Sequence, residues 1–220
     1  MTWAMVARKE LTVEWRARES LVPILLVGLL VVTVCLLALH DVGERRAAAA
    51  ATLWLALAFG AGVGAARTFG AEKDRGTLDV LLGLPMDRGH VYLGKALASF
   101  ATLLVVALVT LACYLAASGD GAPAAWLPLL VFLALGALGL AATGTMLSIL
   151  VAQTRSRDVL LPVLLLPLLV PLLLSGVEGT MSVLAGDAFG AWRGELLVLA
   201  GNDAAFLAAS WLLFGAAVGE

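Results

Sequence analysis

Six apolar runs, each close to the length that crosses a bilayer, restrict this chain to very few folds. They occupy residues 21–39, 47–66, 96–117, 126–151, 159–177 and 196–218. A helical crossing needs about 20 mostly apolar residues, and inside lipid every peptide group must find a partner within its own structure. Composition agrees. Hydrophobic residues make up 62% of the 220, and mean hydropathy is +1.02, whereas a soluble domain is about 45–50% apolar even when Gly is counted. The expected fold is therefore an all-α polytopic membrane protein with six transmembrane helices, forming one domain over 1–220. No segment between the runs approaches the roughly 50 residues of a separate domain. A net charge of −2 points away from nucleic acid as a partner.

Two runs carry interruptions. The fifth contains Pro162, Pro167 and Pro171; each removes a backbone donor, so a kinked span is expected. The sixth contains Gly201-Asn202-Asp203, so residues before 204 are expected either to continue the span or to form a short re-entrant piece ahead of a crossing at 204–218. Between these two runs, 178–195 is rich in Gly and carries Met181, Val183, Leu184, Phe189 and Trp192. It reads as an outside loop that lies on the bilayer or dips into it. The glycines of the second run (Gly60, Gly62, Gly64) and the fourth (Gly136, Gly139, Gly144) permit close helix approach, within one chain or between two.

Basic residues orient the chain. Eleven lie on the side of the N-terminus, the second loop and the fourth loop, against Arg45, Arg46 and Arg193 on the other. Both termini are thus expected in the cytoplasm. Residues 1–20 are charged and lack the pattern of a cleaved signal, so the first span is expected to serve as the insertion signal. Within them Trp3, Ala7, Leu11 and Trp15 recur every four residues, while Arg8, Lys9 and Arg16 fall mostly elsewhere. That is the pattern of an amphipathic interfacial helix, or of a simple extension of the first span.

Several chemistries find no residues to carry them. Cys35 and Cys113 lie in apolar runs, as small packing residues do, and metal-ligand clusters are absent. No Gly-x-x-x-x-Gly-Lys-Ser/Thr loop occurs, so ATP is not bound by that route. No catalytic triad, His-Glu-x-x-His or paired carboxylate lies in a span. His40 and His90 fit solvated interfacial positions better than iron ligation. Trp126, Trp192 and Trp211 stand near span ends, as aromatic belts do. Among the acids outside the cytoplasm (Glu178, Asp187, Glu195 and Asp203), Asp203 is the one set within an apolar run, and an ionisable group at membrane depth is a functional candidate.

The largest group of charged residues lies in the loop 67–95. Arg67 and the run Glu72-Lys73-Asp74-Arg75 suit a helix leaving the second span. Gly76 suits its left-handed stop. Thr77 suits a cap for a new short helix with Leu78, Leu81 and Leu82 on one face and Asp79 in its first turn. Pro85 ends that helix and Asp87 caps the next, which runs past His90 and Lys95 into the third span. Such a stiff, partly apolar element facing the cytoplasm fits a docking surface for a soluble partner.

The order Glu72-x-x-x-Gly76-Thr77-Leu78-Asp79-x-Leu81-Leu82-x-x-Pro85 resembles the signature loop of ABC-2-type exporter permeases. Together with the run from Val159 through Pro162, Pro167 and Pro171, the six spans and the short basic N-terminus, it is most similar to the cytochrome c maturation protein B family, the haem-exporter permease subunits. The resemblance implies a multi-pass permease of the bacterial inner membrane, paired as a homodimer with two cytoplasmic ABC ATPase subunits. ATP would be bound on that partner, with no cofactor in this chain. A haem-handling membrane protein and a periplasmic haem chaperone would be further partners, and haem a possible substrate for delivery to c-type cytochromes. It assigns ATPase coupling to Glu72, Gly76, Thr77, Leu78, Asp79, Leu81, Leu82 and Pro85. Two other readings remain at this point: a general ABC-2 exporter of a drug, lipid or polysaccharide, and a non-transporting anchor through which the ATPase remodels a haem–chaperone complex.

Overall fold

A computed structural model of the chain describes residues 3–17, 21–38, 45–78, 80, 88–118, 126–152, 154 and 156–217. Among these residues there are eight helices and no strand: α1 (Trp3–Ala17), α2 (Leu21–Ala38), α3 (Arg45–Thr68), α4 (Gly70–Asp74), α5 (Arg88–Ser118), α6 (Trp126–Ala152), α7 (Arg157–Ala185) and α8 (Phe189–Ala217). Six of them, α2, α3 and α5 to α8, are long and apolar enough to span a membrane. The expected all-α polytopic fold is the one observed.

Glycine makes the middle of the bundle. The most buried span is α6, which packs against α3, α5, α7 and α8. Apolar helices in lipid gain nothing from hydrophobic association with each other, so close van der Waals fit holds them. The Trp54 ring of α3 is 1% exposed and fills notches at Gly136 of α6 and Gly176 of α7, where any Cβ would overlap it. Its indole N–H donates to the Thr180 hydroxyl at 2.9 Å. Phe132 seats on Gly179 in the same way. Gly136, Gly176 and Gly179 thus receive aromatic rings of their own chain, while Gly139 faces Asp203 and Leu172 and Gly144 faces Ala65, so the small residues of the fourth run serve packing within the chain.

Residues 157–185 form one helix despite three prolines. Leu161, Leu165, Leu169 and Leu172 repeat every three or four residues on its buried stripe, whereas Pro162, Pro167 and Pro171 stand on the exposed face. The carbonyls deprived of partners thus lie away from the packed ridge.

One expectation from the sequence is corrected, and one open alternative is decided. The loop placed at 178–195 is mostly helix: α7 continues to Ala185, a turn follows, and α8 begins at Phe189. The stop is Gly186, at φ 80°, with Gly186 N–H bonded to Val183 O and Asp187 N–H to Ser182 O. This is the paired bond pattern of a glycine-terminated helix. Nor does Gly201-Asn202-Asp203 break the last span, because α8 runs through it. A single glycine weakens a helix in water; in lipid an unpaired peptide group costs several kcal/mol, so the helix persists. Asp203 consequently sits about 21 Å along α8 from Phe189, at 1.5 Å per residue. It is buried against Gly139, and neither of its carboxylate oxygens has a hydrogen-bond partner among the described residues.

Candidate functional site

The described residues that follow α3, 69–78, are tied to the bundle by backbone and side-chain bonds. Helix α4 ends at Asp74, and Gly76 follows at φ 66°. Gly76 N–H bonds Lys73 O at 3.1 Å and Thr77 N–H bonds Glu72 O at 2.9 Å, so Gly76 is the left-handed stop the sequence called for. Thr77 turns its hydroxyl back onto Glu72 O at 3.3 Å. Leu78 points inward, 1% exposed, into a cluster with Phe69, Val91, Tyr92, Ala96, Met146, Ile149 and Ala152. It anchors the loop and does not share an outward face, because the ends of α5 and α6 offer it a ready apolar socket. Val80 is 68% exposed, and Lys73, Asp74, Arg75, Gly76 and Thr77 also face outward. Asp79, Leu81, Leu82, Pro85 and Asp87 lie outside the described residues, as does His40.

Polar ties reach four helices. Phe69 N–H donates to Ser148 Oγ of α6 at 3.1 Å. Arg157, the first residue of α7, donates to Gly70 O at 3.4 Å and to Asp74 Oδ2 at 2.8 Å. Lys95 of α5 is the hub, with a side chain only 2% exposed. Its ammonium meets Glu72 Oε1 at 2.8 Å and Glu10 Oε2 of α1 at 3.4 Å. It also donates to Thr68 O at 2.9 Å and lies 4.9 Å from the centre of the Phe69 ring. Three acceptors match the three protons of an ammonium. Lys9 closes the cluster on Glu10 at 2.9 Å. Tyr92 adds a bond from its hydroxyl to Ala142 O at 3.2 Å, joining α5 to α6.

In helix α1 Val6 and Ala7 are buried and Arg8 and Lys9 exposed; the side chains of Trp3 and Trp15 are not described. Burial raises the Glu10 carboxyl, but the Lys95 and Lys9 ammoniums beside it prevail and leave it below its ordinary 4.5. Because the folded value is the lower one, the stability Glu10 contributes is present above 4.5 and is lost as pH falls through its folded value. A nitroxide label at exposed Thr12 should therefore gain mobility as pH is lowered below 4.5. Glu10→Gln should remove that pH dependence; an unchanged titration in the variant would assign the release to another group.

Sequence reasoning missed most of this cluster. Glu10 and Lys95 are 85 positions apart, and Lys95 entered only as one more basic loop residue. The available signal was its place at the head of an apolar span, where a charge requires a partner. Among the described residues no group of His, Cys, Asp and Glu is arranged to hold a metal.

A search of curated protein sequences returned no match. The family model described as "CcmB protein" matches residues 1–219. The chain therefore belongs to the CcmB family, the cytochrome c maturation protein B permeases that act in membrane transport for c-type cytochrome biogenesis.

Proposed function

We propose that this chain is the membrane half of an ABC transporter that delivers haem across the bacterial inner membrane for attachment to c-type cytochromes. A separate cytoplasmic ATPase docks on the loop at residues 69–85 and drives it. The observation that carries this reading is the loop's fastening to α1, α5, α6 and α7 through Lys95, Ser148 and Arg157. A push on an element held this way moves the ends of several spans together, whereas a free loop would absorb it. Family membership supports haem as the cargo, and the eleven-to-three split of basic residues supports cytoplasmic termini. The assembly is two copies of this chain with two ATPase subunits, and a haem-handling membrane protein and a periplasmic haem chaperone receive its output.

With Leu78 turned inward, the apolar contact for the ATPase falls to Leu81 and Leu82, together with Val80. Leu81→Asp combined with Leu82→Asp should release the ATPase from the membrane, since each charge buried without a partner costs several kcal/mol. Arg75→Ala should change retention little, because an exposed ion pair contributes about 0–1 kcal/mol. Co-purification of the ATPase with membrane-inserted variants measures both, and native mass of the wild-type complex should give two copies of each subunit. Retention of the ATPase by the double aspartate variant would remove the loop from the interface.

A further inference from the structure

The last span carries an acid at its centre. Asp203 is the middle residue of α8, and it meets Gly139, the middle residue of α6. Leu199, Asp203 and Ser210 mark the buried face of α8, whereas Gly201, Ala204 and Ala205 are exposed. At 2% exposure the Asp203 carboxyl is turned towards the bundle and away from lipid. It closes on Gly139 together with the Leu172 side chain of α7, and any Cβ at Gly139 would overlap both. Glycine there makes room for the acid.

Helix α8 packs on α5, α6 and α7, and none of them brings a counter-charge to Asp203. Between Trp126 and Ala152, α6 has no ionisable residue. On α7, Glu178 is exposed and six residues beyond Leu172, and Arg157 is held at the far end by Asp74. On α5, His90, Tyr92 and Lys95 lie at the end that meets Trp211 and Ser210, about two turns of α8 from Asp203. Lys95 is itself held by Glu72 and Glu10. Glu195 of α8 is about 12 Å away along the helix, at 1.5 Å per residue. Among the described residues none gives either Asp203 oxygen a hydrogen bond or an opposite charge.

The wall that the carboxyl faces decides which form of it fits. Inside a helix every N–H is committed to the carbonyl one turn back, while each carbonyl keeps a second lone pair. Such a wall offers acceptors and no donors. An ionised carboxylate can only accept, so it finds nothing there. A protonated carboxyl has an O–H to donate to a carbonyl of the wall, and a buried charge without a partner is neutralised in this way. A metal ion needs several oxygen or nitrogen ligands, and among the described residues no group able to hold one surrounds the site.

We propose that Asp203 is a proton-binding site within the membrane, which holds its proton while α8 lies against α6 and gives it to water when the two helices part. The bound proton makes the carboxyl neutral and a donor, so the seam between α8 and α6 can close over it. Loss of the proton leaves a carboxylate that only water can satisfy, so the seam opens. By linkage, whatever parts the two helices also releases the proton, and a proton taken up draws them together. This site stands apart from the transport reading and holds whether or not haem is the cargo.

Infrared spectroscopy of the full chain in lipid vesicles, made with isotope-labelled aspartate, tests the assignment. At neutral pH the wild-type chain should show the carbonyl stretch of a protonated aspartic acid, shifted by the label. Asp203→Asn, close to isosteric, should lose that band, and Asp187→Asn, at an exposed turn residue, should keep it. Absence of the band from the wild-type chain at neutral pH, or its survival in Asp203→Asn, would overturn the proposal: Asp203 would then be an ionised group reached by water. The link to helix movement is read from nitroxides placed by Leu150→Cys and Leu212→Cys, exposed positions near the same ends of α6 and α8, in a chain whose two native cysteines are replaced by serine. Their separation should lengthen at alkaline pH as the band disappears, and it should stay short in Asp203→Asn. Disappearance of the band with the separation unchanged would sever proton release from helix movement and overturn that part of the proposal.

Discussion

Lys95→Met is expected to destabilise the bundle by about 3–5 kcal/mol, because it removes the one buried ammonium that two carboxylates share and leaves them only the exposed Lys9. Glu72 and Glu10 approach Lys95 Nζ at 2.8 and 3.4 Å, and the Thr68 carbonyl would lose its donor as well. Methionine keeps much of the side chain's length, so little of the loss would come from packing. The damage should be relieved by adding Glu10→Gln and Glu72→Gln, since two like charges then no longer face each other with only the exposed Lys9 between them. Thermal unfolding of the detergent-solubilised chain measures both steps. A loss under about 1 kcal/mol, the worth of an exposed pair, would mean that the cluster is solvated and that α1 is held by Val6 and Ala7 alone.

Trp54→Ala should cost a similar amount, about 3–5 kcal/mol, for a different reason. The indole occupies notches in two other helices at once, Gly136 of α6 and Gly176 of α7. Its removal leaves a void that rigid helices cannot collapse into, and it orphans the Thr180 hydroxyl. Trp54→Phe separates the contributions. It keeps most of the ring contact and loses the 2.9 Å bond to Thr180, worth about 1 kcal/mol. Denaturation of both variants in one detergent gives the comparison. If Trp54→Ala and Trp54→Phe lose equal stability, the hydrogen bond and not the wedge holds α3 in place.

The sequence made the spans legible because hydrocarbon thickness and internal hydrogen bonding leave so little freedom. Gly76 was legible for a local reason: a left-handed stop after a short helix nearly demands glycine, and φ is 66° there. The same reasoning left two readings open at Gly201-Asn202-Asp203, of which the continuous span is observed, and it failed over most of 178–195, where helix replaces the expected loop and only Gly186 acts as a stop. Leu78 shows a second limit. Spacing put an apolar residue on a helix face, but only the socket formed by Tyr92, Met146 and Ile149 determined that it points inward. The Glu10–Glu72–Lys95 cluster shows a third, because it joins three separate helices and no local pattern announces it. Nor does any local pattern show that Trp54, inside the second apolar run, meets Gly136 and Gly176 of two other helices.

Covalent haem attached to c-type cytochromes, visualised by peroxidase staining of membranes from a strain lacking this chain, tests the central claim most directly. Absence of stained c-type cytochromes is expected, with restoration by the wild-type chain but not by the Leu81→Asp, Leu82→Asp variant. The cytochrome polypeptides should still be made, and b-type haem proteins should be unaffected. Normal staining in the deletion strain would contradict a role in haem delivery and leave the chain as the permease of another cargo.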